Sequence, residues 1–222
     1  MREYFKRQIE LWGEDTQNSL VDKKVAIIGC GGLGSSVGVA LGSSGIGSLY
    51  LVDFDRVSTH NIHRQIAFKI DDEGEYKAEV LANLIEKRCP FVKTTPFVKS
   101  FDEFKKEKID FDLIIDCTDN LETRAKIDEF SKEIRVPWIY GSVEKFNGQV
   151  CFFDKSSFKA FKITNKTPAG IAAPMVMMIA SFEANIAIRY LTGLSVDKDR
   201  LYYLYFNSLG ELIVQKFKMP KD

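Results

Sequence analysis

The sequence predicts an α/β fold of Rossmann-like type: a mostly parallel sheet that continues into a mixed or antiparallel half, with helices on both faces. Three observations predict it. Short β-rich runs alternate with helical patterns through the first two thirds of the chain. A glycine turn, Gly29-Cys30-Gly31-Gly32-Leu33-Gly34, separates the first run from the first helical pattern, and Asp53 ends the second run about 20 residues further on. From Gly148 onward, strand-like segments follow one another with a single long helix among them.

Residues 1–22 read as a polar, partly amphipathic arm containing Arg7 and Gln8. Strand-like runs follow at Lys24–Ile28, Ser48–Val52, Thr94–Val98, Phe111–Asp116 and Trp138–Ser142. Helical patterns lie between them at Leu33–Ser43, Lys77–Arg88 and Leu121–Arg135. The later segments Gln149–Phe153, Leu201–Asn207 and Leu212–Phe217 read as strands, with a polar loop at Asp154–Pro168. Pro174 suits the first turn of the long helix ending at Leu191, and Gly193 suits its stop. Met178, Phe182, Ile186 and Tyr190 recur at four-residue spacing on that helix and predict its core face, part of which could serve a dimer. One domain is expected for 1–222, with a nucleotide-binding half at 23–147 and a second half at 148–222.

At 222 residues and 45% hydrophobic composition the chain can bury a full core. Lys+Arg and Asp+Glu balance at 31 each, which argues against nucleic acid or an acidic membrane surface as partner. No run is apolar enough for a signal peptide or a membrane span. Cys30, Cys89, Cys117 and Cys151 stand far apart and read as reduced, buried thiols of a cytoplasmic protein. With no Cys-x-x-Cys pair, a thiolate zinc site is not expected.

In the glycine turn, Gly29, Gly31 and Gly34 supply a tight turn, a close backbone approach and a helix–strand contact, with Gly32 among them. The helix opening at Gly34 would aim unpaired N–H groups and a positive dipole end at a phosphate. Asp53 would accept from ribose hydroxyls. A plain dinucleotide site stops being distinctive there, whereas this chain continues with Asp55, Asn61, Arg64 and Gln65, two histidines at 60 and 63, and Lys77. Asp116, Cys117, Thr118, Asp119 and Asn120 close a later strand and place two more acids and an amide at the same rim. Arg64 and Lys77 bring more positive charge than a pyrophosphate beside a helix N-terminus requires, and they suit a triphosphate, ATP. Asp119 could then hold a magnesium ion against phosphate oxygens. The competing reading is a surface ion-pair network with Asp119 as a helix N-cap. The two histidines lack a third ligand at metal spacing and read as loop polar residues.

These motifs, together with Asp-Phe-Asp at 53–55, Asn-x-x-Arg-Gln at 61–65, Cys-Thr-Asp-Asn at 117–120, Arg-Gln at 7–8 and Gly170-Ile171-Ala172-Ala173-Pro174, resemble the ThiF/MoeB/HesA family from about Arg7 to Gly193. These are ubiquitin-activating-enzyme-like adenylyltransferases. The resemblance implies ATP- and Mg²⁺-dependent adenylation of the C-terminal Gly-Gly of a small ubiquitin-like sulfur carrier protein, of the kind used in thiamine or molybdopterin biosynthesis. It also implies a homodimer in which Arg7 reaches the partner's nucleotide, a carrier-binding and dimer role for 148–222, and a separate sulfur donor. Arg64, Lys77 and Arg7 are assigned to phosphates, Asp119 to magnesium, Asp53 to ribose, and Asn61 and Gln65 to nucleotide or phosphate. Gly29, Gly31, Gly32, Gly34, Asp55, Thr118 and Asn120 complete the expected nucleotide site. A carboxylate is already ionised at pH 7, so its attack on the α-phosphorus needs no general base.

Three departures from the family pattern stand out. Phe158-Lys159-Ala160-Phe161 occupies the place of a first zinc-binding Cys-x-x-Cys, and Met219–Asp222 carries no second pair; an apolar plug is expected instead. The loop Thr164–Gly170 lacks the cysteine that in some members joins the carrier covalently. From the length of the chain, no rhodanese-like sulfur-donor domain is expected. Three alternatives compete: a nicotinamide-dependent oxidoreductase, disfavoured because no histidine follows His63; a dehydratase acting on a modified adenosine of transfer RNA, disfavoured by neutral charge; and a scaffold without activity, disfavoured by the retained arginines and Asp119.

Overall fold

A computed structural model describes residues 1–161 and 170–221. The expected polar loop and the cysteine-free loop fall partly outside these described residues. Eight described strands form one sheet in the order β3-β2-β1-β4-β5-β6-β7-β8. The strands are β1 Lys24–Ile28, β2 Ser48–Val52, β3 Lys93–Phe97, β4 Leu113–Asp116, β5 Trp138–Glu144, β6 Asn147–Phe153, β7 Arg200–Phe206 and β8 Leu212–Lys218. β1 to β5 pair in parallel, and β5 to β8 pair antiparallel. The mixed sheet is thus as expected, with the change of direction at the β5–β6 hairpin. Its order reverses between β1 and β4, which makes the carboxyl ends of those two strands the crevice for a ligand.

Two layers of helices cover this sheet. α3 (Gly32–Ser44), α4 (Lys77–Arg88) and α7 (Ala173–Leu191) bury their apolar sides with Val25, Ile27, Leu49, Leu51 and Ile115. α6 (Leu121–Ile134) and the one-turn α5 (Phe101–Phe104) cover the other face, where the core is rich in aromatic rings. α5 was not expected from the sequence. Its four residues are held by a reciprocal cap in which Ser100 and Glu103 each bond the other's backbone N–H.

The core face of α7 differs from the expected one. Met175, Val176, Ile179, Ala180, Glu183, Ala184, Ala187 and Leu191 are buried, and of the expected row Ile186 is buried too, whereas Met178, Phe182 and Tyr190 are only partly so. Phe182 packs edge-on against Tyr202, and Tyr190 lies against Phe152. Small alanines let the helix sit close to α3 and the sheet, and the larger residues take its flank.

The N-terminal arm folds as α1 (Lys6–Trp12) and α2 (Glu14–Ser19). Gln8 and Gln17 both donate to the Ser44 carbonyl, each at 3.0 Å, and Phe5 is buried beside Gly45. The arm is therefore fixed to the C-terminal end of α3.

All four cysteines are buried and unpaired. The expected apolar plug takes the form of an aromatic cluster. Phe158 is fully buried, its ring 5.0 Å from Phe161, 5.5 Å from Tyr140 and 6.0 Å from Trp138, which stacks on Phe153. Asp199 ties the neighbouring chain: its carboxylate accepts from the backbone N–H groups of Asp154, Lys155 and Ser156 and from the Ser156 hydroxyl, while its own carbonyl accepts from Met219. Phe158→Ala should lower stability by about 3–5 kcal/mol, read as a lower denaturant midpoint at unchanged slope. An unchanged midpoint would show that the rings are not what closes this side of the sheet.

Candidate nucleotide site

β1 ends at Ile28 and the chain turns at Gly29, whose φ of +91° disfavours a side chain. A Cβ there would also lie 2.7 Å from the Cys117 carbonyl oxygen at the end of β4. α3 begins at Gly32, two residues before the expected Gly34. A Cβ on Gly34 would fall 1.9 Å from the Gly29 oxygen, so the first turn of the helix rests directly on the strand end. Gly31 differs from both: the nearest atom to its would-be Cβ is Gln65 Nε2 at 3.4 Å, ordinary contact. A Cβ at Gly31 would meet no atom closer than that amide.

Asp53 sits at the tip of β2 and accepts from the Cys30 N–H at 2.7 Å and the Asp55 N–H at 2.8 Å. Burial pushes its carboxyl up, while those two bonds and Lys77 pull it back. Burial also raises the Cys30 and Cys117 thiols well above their ordinary range, so both are neutral groups beside the turn. Lys77, almost fully buried as the first residue of α4, places Nζ 3.0 Å from the half-exposed Asp55 carboxylate. Arg64 ends a 3₁₀ turn over Thr59–Arg64 and donates to Asn61 Oδ1 at 2.9 Å; its backbone runs alongside Gly32. Gln65 is buried, and its Oε1 has no hydrogen-bond partner among the described residues. His60 and His63 are exposed and bond only locally, as loop residues.

In the β4–α6 loop two expected site residues turn away from the rim, and the competing reading of Asp119 as a helix cap is not met. Asp116 is not at the rim but fully buried, where Arg124 Nε donates to Oδ2 at 3.0 Å. Thr118 turns inward, its N–H and Oγ1 both donating to Asp116 Oδ1 at 3.0 and 2.6 Å. The N-cap of α6 is Asn120, whose Oδ1 accepts from the Thr123 N–H, and not Asp119. Asp119 is left exposed at the strand ends, with no hydrogen bond among the described residues. The structure thus brings together the glycine turn, Asp53, Asp55, Arg64, Gln65, Lys77 and Asp119 at the switch point. Arg7 it places elsewhere, exposed on α1 and paired with Glu10 at 2.8 Å.

Two functional candidates were missed. Arg124 continues the buried stripe Ile127, Asp128 and Ser131 of α6, a signal present in the helical spacing. Glu183 lies in the core face of α7 with neither oxygen partnered among the described residues. It fills the space at Gly141 on β5, where a Cβ would come within 2.2 Å. Burial, and secondarily Asp116, raise its carboxyl far above the ordinary range, and Arg124 only partly offsets this. Burial likewise pushes Asp116 up against Arg124 and Thr118, and it pushes Arg124 down by less than Asp116 and Tyr140 raise it. Asp116, bonded to the guanidinium, is the counter-ion of Arg124, and burial without a partner favours the protonated form of Glu183.

Among the described residues no three His, Cys, Asp or Glu groups could enclose a metal. A single exposed carboxylate does fit magnesium, which takes one or two carboxylates together with phosphate oxygens. No helix of the described residues is long and apolar enough to cross a membrane.

A reversed strand order with a glycine turn, two cations and an acid at the switch point defines a nucleotide-binding α/β protein of the triphosphate-using kind. The chain belongs to the ThiF family, whose model matches residues 5–222. It is 32% identical over 220 residues to the molybdopterin-synthase adenylyltransferase of Haemophilus influenzae, covering 94% of this chain and 90% of that protein. It is 29% identical to the sulfur carrier protein ThiS adenylyltransferase of Escherichia coli, covering 84% and 79%. The adenylyltransferase and sulfurtransferase MOCS3 of Caenorhabditis briggsae is 32% identical, but the chain spans only half its length. Among solved structures, E. coli MccB with MccA superposes at a TM-score of 0.88 with 20% identity, covering all of this chain and 73% of that one, a likeness of fold.

Glu183 gives the site a pH signature. The folded chain holds a proton that the unfolded chain releases above about pH 4.3. Stability from that proton is fully present at lower pH and is lost as pH rises from there toward the raised folded value. Glu183→Gln, which cannot titrate, should therefore gain in melting temperature relative to wild type between pH 5 and pH 8. A difference that stays constant across that range would contradict a protonated Glu183.

Proposed function

We propose that the chain adenylates the C-terminal carboxylate of a small ubiquitin-like sulfur carrier ending in Gly-Gly, using ATP and releasing pyrophosphate. The observation that carries the reading is the setting of Arg64 against Gly32, of Asp53 on the Cys30 N–H with Lys77 paired to the neighbouring Asp55, and of the Cys117–Thr118 backbone just before Asp119 on Gly29, in a ThiF-family chain. A carboxylate oxygen attacks the α-phosphorus, the bond to the β-bridging oxygen breaks, and pyrophosphate leaves. The protein's task is to hold these groups in line and to neutralise the developing charge.

The N–H groups at the start of α3 face the phosphates, and the free space at Gly31 suits their close approach. Lys77 exchanges its bond to Asp55 for phosphate oxygens, and Arg64 does the same from Asn61. Asp53 keeps one lone pair per oxygen for ribose hydroxyls. Asp119 would hold Mg²⁺, which would supply charge neutralisation for the phosphates. Gln65 offers its unpaired oxygen to a donor of the nucleotide or the carrier tail, while Thr118 and Asn120 act through the loop they brace. Aromatic packing around Phe158 does the cross-linking that zinc performs in other members, and sulfur is supplied by a separate donor.

Arg7 serves the partner subunit of a homodimer. α3 spans 13 residues, about 18 Å, and the arm is fastened to the end opposite the turn. That is further than an arginine side chain reaches, which supports supply of Arg7 in trans.

Incubation with ATP, Mg²⁺ and candidate carriers should yield pyrophosphate and a carrier–AMP mass. Arg64→Ala should reduce the rate about 10³-fold or more, by analogy with other cations at phosphoryl transfer. Tighter binding of NAD than ATP, with no carrier modified, would overturn the reading. Arg7→Ala and Asp119→Ala chains should each be nearly inactive, and mixing them should restore about one working site per heterodimer. Heterodimers confirmed by mass but devoid of activity would return Arg7 to a structural role.

A further inference from the structure

We infer that Arg124 is a positioning residue, which aims the Asp119 carboxylate at phosphate-bound Mg²⁺ by lacing the loop that carries it. The inference rests on the proposed placement of Mg²⁺ at Asp119. Asp119 is exposed, and its own side chain makes no hydrogen bond among the described residues. Its direction is therefore set by the backbone on either side. On one side, Thr118 is held at three points: its N–H and Oγ1 donate to Asp116, and its carbonyl accepts from Arg124 Nη2 at 2.5 Å. On the other, Asn120 caps α6 through the Thr123 N–H, and its carbonyl accepts from the Arg124 N–H at 3.1 Å.

Arg124 is common to both sides. The same guanidinium donates from Nε to Asp116 Oδ2 at the end of β4 and from Nη2 to the Gly141 carbonyl of β5 at 3.1 Å, with its plane near the Tyr140 ring. The fork thus clamps two strands and the Thr118 carbonyl, while the bond to Asn120 is the ordinary backbone bond of the helix start, and Asp119 is the residue the clamp leaves free. A buried ion pair of this kind is weak evidence for stability, because desolvation consumes most of the attraction. What it fixes is geometry. A lysine keeps the charge opposite Asp116 but offers one point donor in place of the fork.

The test reads nucleotide binding by calorimetry, without any carrier. In wild type, Mg²⁺ should tighten ATP binding, and Asp119→Ala should abolish that increment. Arg124→Lys should raise the Mg²⁺ half-saturation about 10- to 100-fold while leaving metal-free ATP binding essentially unchanged. Combined with Asp119→Ala it should add nothing further. Should Arg124→Lys fail to fold, the paired change Asp116→Asn with Arg124→Gln removes both charges and is expected to show the same loss. A variant that melts earlier but keeps the wild-type Mg²⁺ half-saturation would make Arg124 merely structural and overturn the inference. So would an equal loss of metal-free ATP binding, or a wild type with no Mg²⁺ increment. If no carrier is adenylated, the proposed reaction fails by itself, and the Mg²⁺ dependence of ATP binding still reports on Arg124.

Discussion

The contact between Gly34 and the carbonyl of Gly29 governs the site. With 1.9 Å between that oxygen and the place of a Cβ, any side chain at Gly34 would lift α3 from the end of β1. α3 could then no longer point its first N–H groups into the crevice between β1 and β4. The other groups depend on that closeness: Asp53 bonds the Cys30 N–H inside the turn, and Arg64 runs against Gly32. The far end of α3 carries the N-terminal arm, so one helix separates the glycine turn of the proposed phosphate site from Arg7.

The two halves of the sheet divide the work. Parallel strands leave their carboxyl ends open to the nucleotide, as the strand-order reversal requires. The antiparallel half begins at β5, which also supplies the Gly141 carbonyl to Arg124 and the space for Glu183. Its outer side is closed by the Phe158 cluster and by Asp199, which gathers the Asp154–Ser156 backbone and the chain at Met219. Stability and reactivity therefore meet at β5, where a protonated acid, a buried ion pair and an aromatic core lie within one strand's length.

Much of this was legible in the sequence because period and punctuation agree locally. β1, β2 and α4 have the expected bounds, since each is a short apolar or amphipathic run between turn residues. The glycine turn and its acid were readable for the same reason. What escaped was set by tertiary burial of polar groups. Asp116 was placed at the rim because acids at strand ends usually face solvent, yet Arg124 carries it inside. Glu183 hid the centre of the core face of α7, for a carboxyl in the apolar stripe drew attention to the neighbouring Met178–Tyr190 row, of which only Ile186 is fully in the core. Asn120 and Asp119 are both good caps, and only the bond to Thr123 tells which one serves.

The central claim is that a carrier's terminal carboxylate becomes an acyl adenylate at this turn. Isotope transfer tests it most directly. A carrier whose C-terminal carboxylate is labelled with ¹⁸O would be incubated with the enzyme and Mg·ATP, and the product then trapped with hydroxylamine. Attack on the carbonyl carbon leaves the bridging oxygen on phosphorus, so the account predicts AMP carrying one labelled oxygen, together with carrier hydroxamate. AMP formed without label would mean that water, not the carboxylate, attacked the α-phosphorus, and would contradict the account.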